Sequence, residues 1–182
     1  MRITVSGLPG SGTTSLSRCL AERHGFTMIS AGEVFRQLAK EHTMELAAFG
    51  RLAEEDPAFD RMIDARQKEI ARERDNIVVE GRLSGWMVED ADLRIWLYAP
   101  IGCRIKRIAF RDQVTDEKTA EQLTLERERC EAGRYQSYYS IDINDLSVYH
   151  LIINSEHWGV EGLGAIVDTA ITHLRHPEIP QR

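Results

Sequence analysis

Three cysteines, at positions 19, 103 and 130, are too few and too widely spaced for a disulfide framework, and no Cys-x-x-Cys pair suggests a zinc ribbon. That usage fits a reducing compartment, and a cytoplasmic location is expected. No apolar run approaches the ~20 residues that a membrane span needs. The opening MRITVSG enters a strand directly, without the longer apolar stretch and cleavage site of a signal peptide. Neither a membrane partner nor export is expected. Positive charge is in short supply as well: 23 Lys and Arg stand against 29 Asp and Glu, a net charge of -6, so nothing draws the chain to a nucleic-acid backbone. The six histidines, at 24, 42, 150, 157, 173 and 176, lack a His-Glu-x-x-His spacing, which removes support for metal-assisted hydrolysis. Prolines number 5 and glycines 13, with no repeat and no low-complexity segment. What remains is an ordinary globular composition, 42% hydrophobic and 29% charged in 182 residues, enough for one domain. That domain is placed at residues 1–175, with a frayed tail at 176–182, and a monomer is expected.

Short β-branched runs alternate with longer stretches of helical period, the pattern of βαβ units around a parallel sheet. Strands are expected at Ile3–Ser6, Thr27–Ser30, Ile77–Glu80, Leu93–Tyr98 and His150–Asn154. After the first, Leu16, Cys19, Leu20 and Arg23 fall at helical spacing and Gly25 closes the helix. From Ala31 to about Arg74 the pattern is helical, broken at Asp56-Pro57. Pro100 opens a helix carrying Arg104, Arg107 and Arg111, and Gly162 to Leu174 forms a last amphipathic helix. Trp86, Trp96 and Trp158 read as core or rim residues.

Between the first strand and its helix stands GLPGSGTTS, Gly7 to Ser15. Its spacing is that of the phosphate loop G-x-x-x-x-G-K-[ST], with Thr13 at the lysine position. Backbone N–H groups and the helix N-terminus do most of the anion holding in such a loop, and neither depends on the side chain at 13. All nine residues, Gly7, Leu8, Pro9, Gly10, Ser11, Gly12, Thr13, Thr14 and Ser15, are candidates for binding a nucleoside triphosphate. Thr14 fits the hydroxyl that binds Mg²⁺. The charge of the lysine must come from elsewhere, since one lost electrostatic contact to a transition state costs about 3 to 4 kcal/mol.

Arginine is the replacement at hand. The segment at about 104–134 holds Arg104, Arg107, Arg111, Arg127, Arg129 and Arg134, interleaved with acids that include Glu128 and Glu131. As single residues these read as solvated i,i+4 pairs; as a segment they read as a lid that brings guanidinium groups to the transferred phosphate and expels water. Arg107, Arg111 and Arg134 are the catalytic or lid candidates. Two further strand ends carry chemistry. At Ile77–Arg82, Glu80 is placed to help hold Mg²⁺, with Gly81 and Arg82 beside it. At Ile29–Arg36, Ser30 and Gly32 open a helix and Arg36 follows one turn on, a second anion site. Two anion sites suggest a donor and a phosphorylated acceptor.

Taken together, GLPGSGTTS, ISAGEVFRQLAKE, EEDPAFDRMIDARQ, VVEGRLSGWM, RIWLYAP, and RERCEAGRY to SIDINDLSVY resemble the nucleoside monophosphate kinases, most closely the short archaeal form of cytidylate kinase. The likeness runs from Met1 to about Leu174. It implies a three-layer α/β P-loop kinase fold, a five-stranded parallel sheet flanked by helices, with a helical acceptor-binding segment at about 31–74 and the lid at about 104–134. It implies transfer of phosphate from ATP to CMP or dCMP with Mg²⁺. The archaeal form also has Thr-Thr in place of the lysine, so Thr13 is compatible with activity. By match to the motif, Arg36, Arg82 and Arg127 would bind the acceptor's phosphate. One departure concerns the base: Leu83 stands where the longer bacterial enzymes carry an aspartate that helps read cytosine. Asp60, Arg61, Asp64 and Arg66 are the candidates left for that task. Two alternatives stay open, an adenylate or other small-acceptor kinase on the same scaffold, and a nucleotide-binding module that lost catalysis with its lysine.

Overall fold

The β-branched runs become one all-parallel sheet, because the central strands are buried on both faces and the chain between strands is long enough to cross over as helix. In the computed structural model, residues 1–45, 48–49, 56, 58–113 and 116–174 are described. The strands are β1 (Arg2–Gly7), β2 (Thr27–Ser30), β3 (Ile77–Glu80), β4 (Leu93–Tyr98) and β5 (Leu151–Asn154), in the order β2-β3-β1-β4-β5. The helices are α1 (Thr13–His24), α2 (Ala31–Glu41), α3 (Ala58–Glu73), α4 (Ser84–Met87), α5 (Ile101–Asp112), α6 (Glu117–Tyr139) and α7 (Val160–Thr172). All five expected strands form, within one residue at each end. The last helix begins two residues before Gly162, and α4 is a short element that periodicity does not reveal. Pro57, part of the expected break in the helical pattern, lies outside the described residues.

Alternate strand residues feed separate clusters on the two faces of the sheet. Ile3, Val5, Ile95, Leu97 and Ile153 pack on Leu16 and Leu20 of α1 and on Leu163 and Val167 of α7. On the other face Ile77 and Val79 meet Ala71 of α3, while Trp96 meets Leu83, Tyr135 of α6 and Tyr149. Each fully buried Leu or Val contributes about 1.5–3 kcal/mol of transfer free energy, so these layers fix the sheet against which the strand ends are placed. Helix α1 ends as its sequence demands: Gly25 takes φ 65°, a left-handed cap, and donates its N–H to Ala21. Helix α2 opens with a capping box in which Ser30 Oγ accepts from the Glu33 N–H and the Glu33 carboxylate accepts from the Ser30 N–H.

Helices α2 and α3 share an apolar cluster of their own, in which Phe49 lies between Phe35 and Phe59 at ring distances of 5.0 and 4.9 Å, over Val34 and Leu38. The α5–α6 hairpin has much less: Ile105, Ala109 and Ala120 form its buried cluster.

Helix α4 is packed through an absence of side chain. A Cβ on Gly85 would lie 2.3 Å from the Tyr149 ring, and the Gly85 N–H donates to Ser6 Oγ at 3.2 Å. Gly85→Ala is expected to cost about 1–3 kcal/mol by overpacking, measured as a lowered Tm in thermal unfolding.

Candidate active site

The carboxyl ends of β1 and β3 lie side by side, with Val5 opposite Glu80 in register, and the functional candidates gather there. The loop after β1 turns tightly, the Ser11 N–H donating to Leu8 O at 3.1 Å. Gly10 (φ 81°) and Gly12 (φ 98°) take the left-handed conformation that the turn requires. Gly12 caps α1 without a side-chain hydrogen bond. The first N–H groups of α1 therefore have no partner from the cap, and they carry the helix's partial positive charge.

A cradle of N–H groups needs its carbonyls turned away, and two arginines of α5 take them. Arg104, 5% exposed, donates from Nη1 to Pro9 O at 3.1 Å and from Nε to Ala99 O at 3.0 Å, and pairs with Glu128 of α6. Arg107 donates from Nη1 to Gly10 O and Ser11 O, both at 3.4 Å, and to Ser155 Oγ at 2.9 Å, and from Nη2 to Ser155 O at 2.8 Å. Ser155 in turn donates its hydroxyl to Ser11 O at 2.6 Å. Arg111, the third arginine of the row, pairs with Asp112 on the surface. Arg107 thus stands against the loop backbone, and Ser155, which no sequence pattern singles out, closes the same latch from the end of β5.

Position 13 has a definite role in place of a lysine's. Thr13 Oγ1 donates to Glu80 Oε1 at 2.7 Å, and the two residues are only 7% and 9% exposed. Gln67 of α3 donates to Glu80 O at 2.9 Å, bracing the strand end. The second oxygen of Glu80 has no protein partner among the described residues. The hydroxyls of Thr14 and Ser15 lie on the exposed side of α1. A nearly buried carboxylate with one open oxygen beside an exposed hydroxyl suits Mg²⁺, which takes one or two protein oxygens and completes its shell with water and phosphate.

Across the loop lies the second group of candidates. Arg82 donates from Nη1 to Gly7 O at 2.9 Å and from Nε to Glu131 Oε2 at 3.0 Å. Arg127, one turn earlier on α6, donates from Nε to Glu131 Oε1 at 2.7 Å. Glu131 is 6% exposed; burial pushes its carboxyl up, but the guanidinium groups of Arg82 and Arg127 outweigh that and hold it below the ordinary value. Arg36 is exposed on α2, its Nη1 3.6 Å from where a Gly32 Cβ would stand. Gly81 leaves room for Gln67, whose Oε1 would lie 3.2 Å from an added Cβ. The hydroxyl of Ser30 serves the α2 cap.

The base-reading candidates divide. Leu83 is buried against Trp96 and Tyr135, which fits its failure to supply the aspartate's contact. Asp64 accepts from the Tyr139 hydroxyl at 2.8 Å, and the Arg61 guanidinium lies 5.1 Å from the Tyr138 ring, so α3 is tied to the end of α6. Arg66 pairs with Glu69 of its own helix. The side chain of Asp60 lies outside the described residues. Arg134 is partly buried on α6, seven residues beyond Arg127. Chemically, the arrangement offers an anion cradle, a carboxylate and hydroxyl for a cation, and a second cluster of guanidinium groups at the neighbouring strand end.

Comparison with known proteins places the chain among relatives. A chain named cytidylate kinase in Methanoregula boonei is 77% identical over 175 residues, 96% of each chain. One of the same name in Methanosphaerula palustris is 66% identical over 175 residues, 96% of this chain and 99% of that one. Among solved structures, a shikimate kinase from Acinetobacter baumannii in complex with shikimate has the same fold at TM-score 0.64 and 16% identity, covering 96% of this chain and 95% of that one. Residues 2–157 match the family described as cytidylate kinase-like, and the chain belongs to that family.

Proposed function

We propose that this chain transfers the terminal phosphate of ATP to CMP, and to dCMP, giving the diphosphates. The observation that carries the reading is the contact between two groups suited to anions: the N–H cradle of Gly7–Ser15 and, against its first carbonyl, the Arg82–Glu131–Arg127 cluster. Relatives named cytidylate kinase at up to 77% identity support the acceptor. Such a transfer needs no nucleophile from the protein, because the acceptor phosphate attacks; the protein positions both phosphates and stabilises charge.

The loop would hold the β- and γ-phosphates on its N–H groups. Arg36, Arg82 and Arg127 would hold the acceptor's phosphate, with Ser30, Gly32 and Gly81 shaping that end and Asp60, Arg61, Asp64 and Arg66 the candidates for reading the base. Thr14 and Glu80 would hold Mg²⁺, which supplies neutralising charge between donor phosphates when bound. Thr13 keeps the Glu80 carboxylate turned toward the loop. Arg111 lies at the end of α5 beyond the Arg104 and Arg107 anchors, where the buried cluster of the hairpin is small, a property that favours local motion; there it would close on the transferred group, with Arg134 of α6 beside it. No helix among the described residues is long and apolar enough to cross a membrane; a cytoplasmic monomer completes the reading.

A coupled assay with Mg²⁺-ATP over CMP, dCMP, UMP, AMP and shikimate is expected to give the highest kcat/KM with CMP or dCMP; AMP as the best acceptor would move the chain to adenylate specificity, and ATP binding without turnover would make it a silent module. Arg134→Ala is expected to lower kcat at least tenfold with less change in KM, read from initial rates. For Glu131, the depressed carboxyl means that its contribution to stability is present above about pH 4.5 and lost as pH falls through the lower folded value. Glu131→Gln is accordingly expected to cost about 1.5–3 kcal/mol at pH 7, with the gap in Tm from the native chain closing as pH drops below about 4.5.

A further inference from the structure

The loop's lysine position is filled by Thr13, whose hydroxyl is committed to Glu80. A cation therefore has to reach the phosphates by another route. Arg104 and Arg107 both lie directly behind the loop, yet they differ in one respect that decides their roles. The charge of Arg104 is met by the Glu128 carboxylate, so the pair is close to neutral. Arg107 has only neutral partners among the described residues: the carbonyls of Gly10, Ser11 and Ser155 and the Ser155 hydroxyl. Its positive charge is left uncompensated.

We infer that Arg107 is a fixed cation behind the phosphate loop and supplies, through the loop backbone, the positive charge that position 13 lacks. Two physical effects act together. Coulomb attraction to a polyphosphate falls only as the inverse of distance, and the intervening medium is peptide, less polarisable than water. In addition, each carbonyl that Arg107 engages belongs to the peptide unit whose N–H is that of the next residue. A guanidinium on Ser11 O polarises the Gly12 N–H and strengthens it as a donor, while the Ser11 N–H stays committed to Leu8 O and holds the turn. Four hydrogen bonds fix the group in place, so the charge is delivered without ordering a long side chain when the nucleotide arrives. Arg107 acts on the ligand through the backbone, as a positioning residue.

This inference rests on the reading that ATP occupies the loop, and the test separates the two. ATP affinity would be measured by calorimetry, without acceptor, for the native chain, Arg107→Gln, Arg107→Lys, Thr13→Lys and the double variant Arg107→Gln/Thr13→Lys, each checked by its Tm. Arg107→Gln is expected to weaken ATP at least tenfold, and Arg107→Lys, which keeps charge but loses the fork, to stay within about threefold of native. Introducing lysine at 13 is expected to recover most of the loss in Arg107→Gln, a rescue that a purely structural latch would not allow. Native ATP affinity in Arg107→Gln overturns the inference alone. So does an Arg107→Lys variant as weak as Arg107→Gln, or a double variant without recovery when Thr13→Lys by itself binds ATP normally. Absence of ATP binding by the native chain overturns the reading and the inference together.

Discussion

The orientation of three peptide units, those whose carbonyls belong to Pro9, Gly10 and Ser11, is the constraint on which the site depends. A loop binds an anion through its N–H groups only if its carbonyl oxygens face elsewhere, and carbonyls so turned need donors. Here the donors are Arg104 and Arg107 of α5, with Ser155 from the end of β5. The glycines permit the turn, and the arginines select it. A helix far from the loop in sequence thereby becomes part of the loop's own backbone chemistry.

Helix α6 extends the same logic from the loop to Arg82. Glu128 and Glu131 stand one turn apart and each accepts from an arginine on another element, Arg104 of α5 and Arg82 after β3. The first carboxylate braces the arginine behind the phosphate loop and the second braces the Arg82–Arg127 cluster, so a shift of α6 is felt at both ends. Buried ion pairs of this kind offset much of their Coulomb gain by desolvation. Their value here lies in register: they fix where guanidinium groups point.

Strands were legible in the sequence because buried parallel strands read as short apolar runs, and IVVE, LRIWLY and LIIN have few other uses. The phosphate loop was legible because its chemistry is local, confined to nine consecutive residues. Glu80 and Arg82 stood out by their place at the tip of an apolar strand, and both contact residues of the loop, Thr13 and Gly7. What sequence did not reveal depends on long-range contacts: the Arg107–Ser155 latch joins residues 48 apart and reaches a loop 96 or 97 residues earlier. Charge interleaving along α6 suggested i,i+4 pairs, and Arg127–Glu131 is one. The same pattern carried no sign that Glu131 also reaches Arg82, because nothing in a helical repeat records what packs against it.

The position of Glu131 bears on discrimination between anions. In the proposed reading a ligand phosphate approaching Arg82 and Arg127 meets guanidinium groups already shared with an internal carboxylate, so it gains only the difference between two anionic partners. Free inorganic phosphate brings nothing further to that exchange. A nucleotide brings its sugar and base as well, and their contacts supply the remainder, which makes the internal carboxylate a threshold that small anions fail to pass.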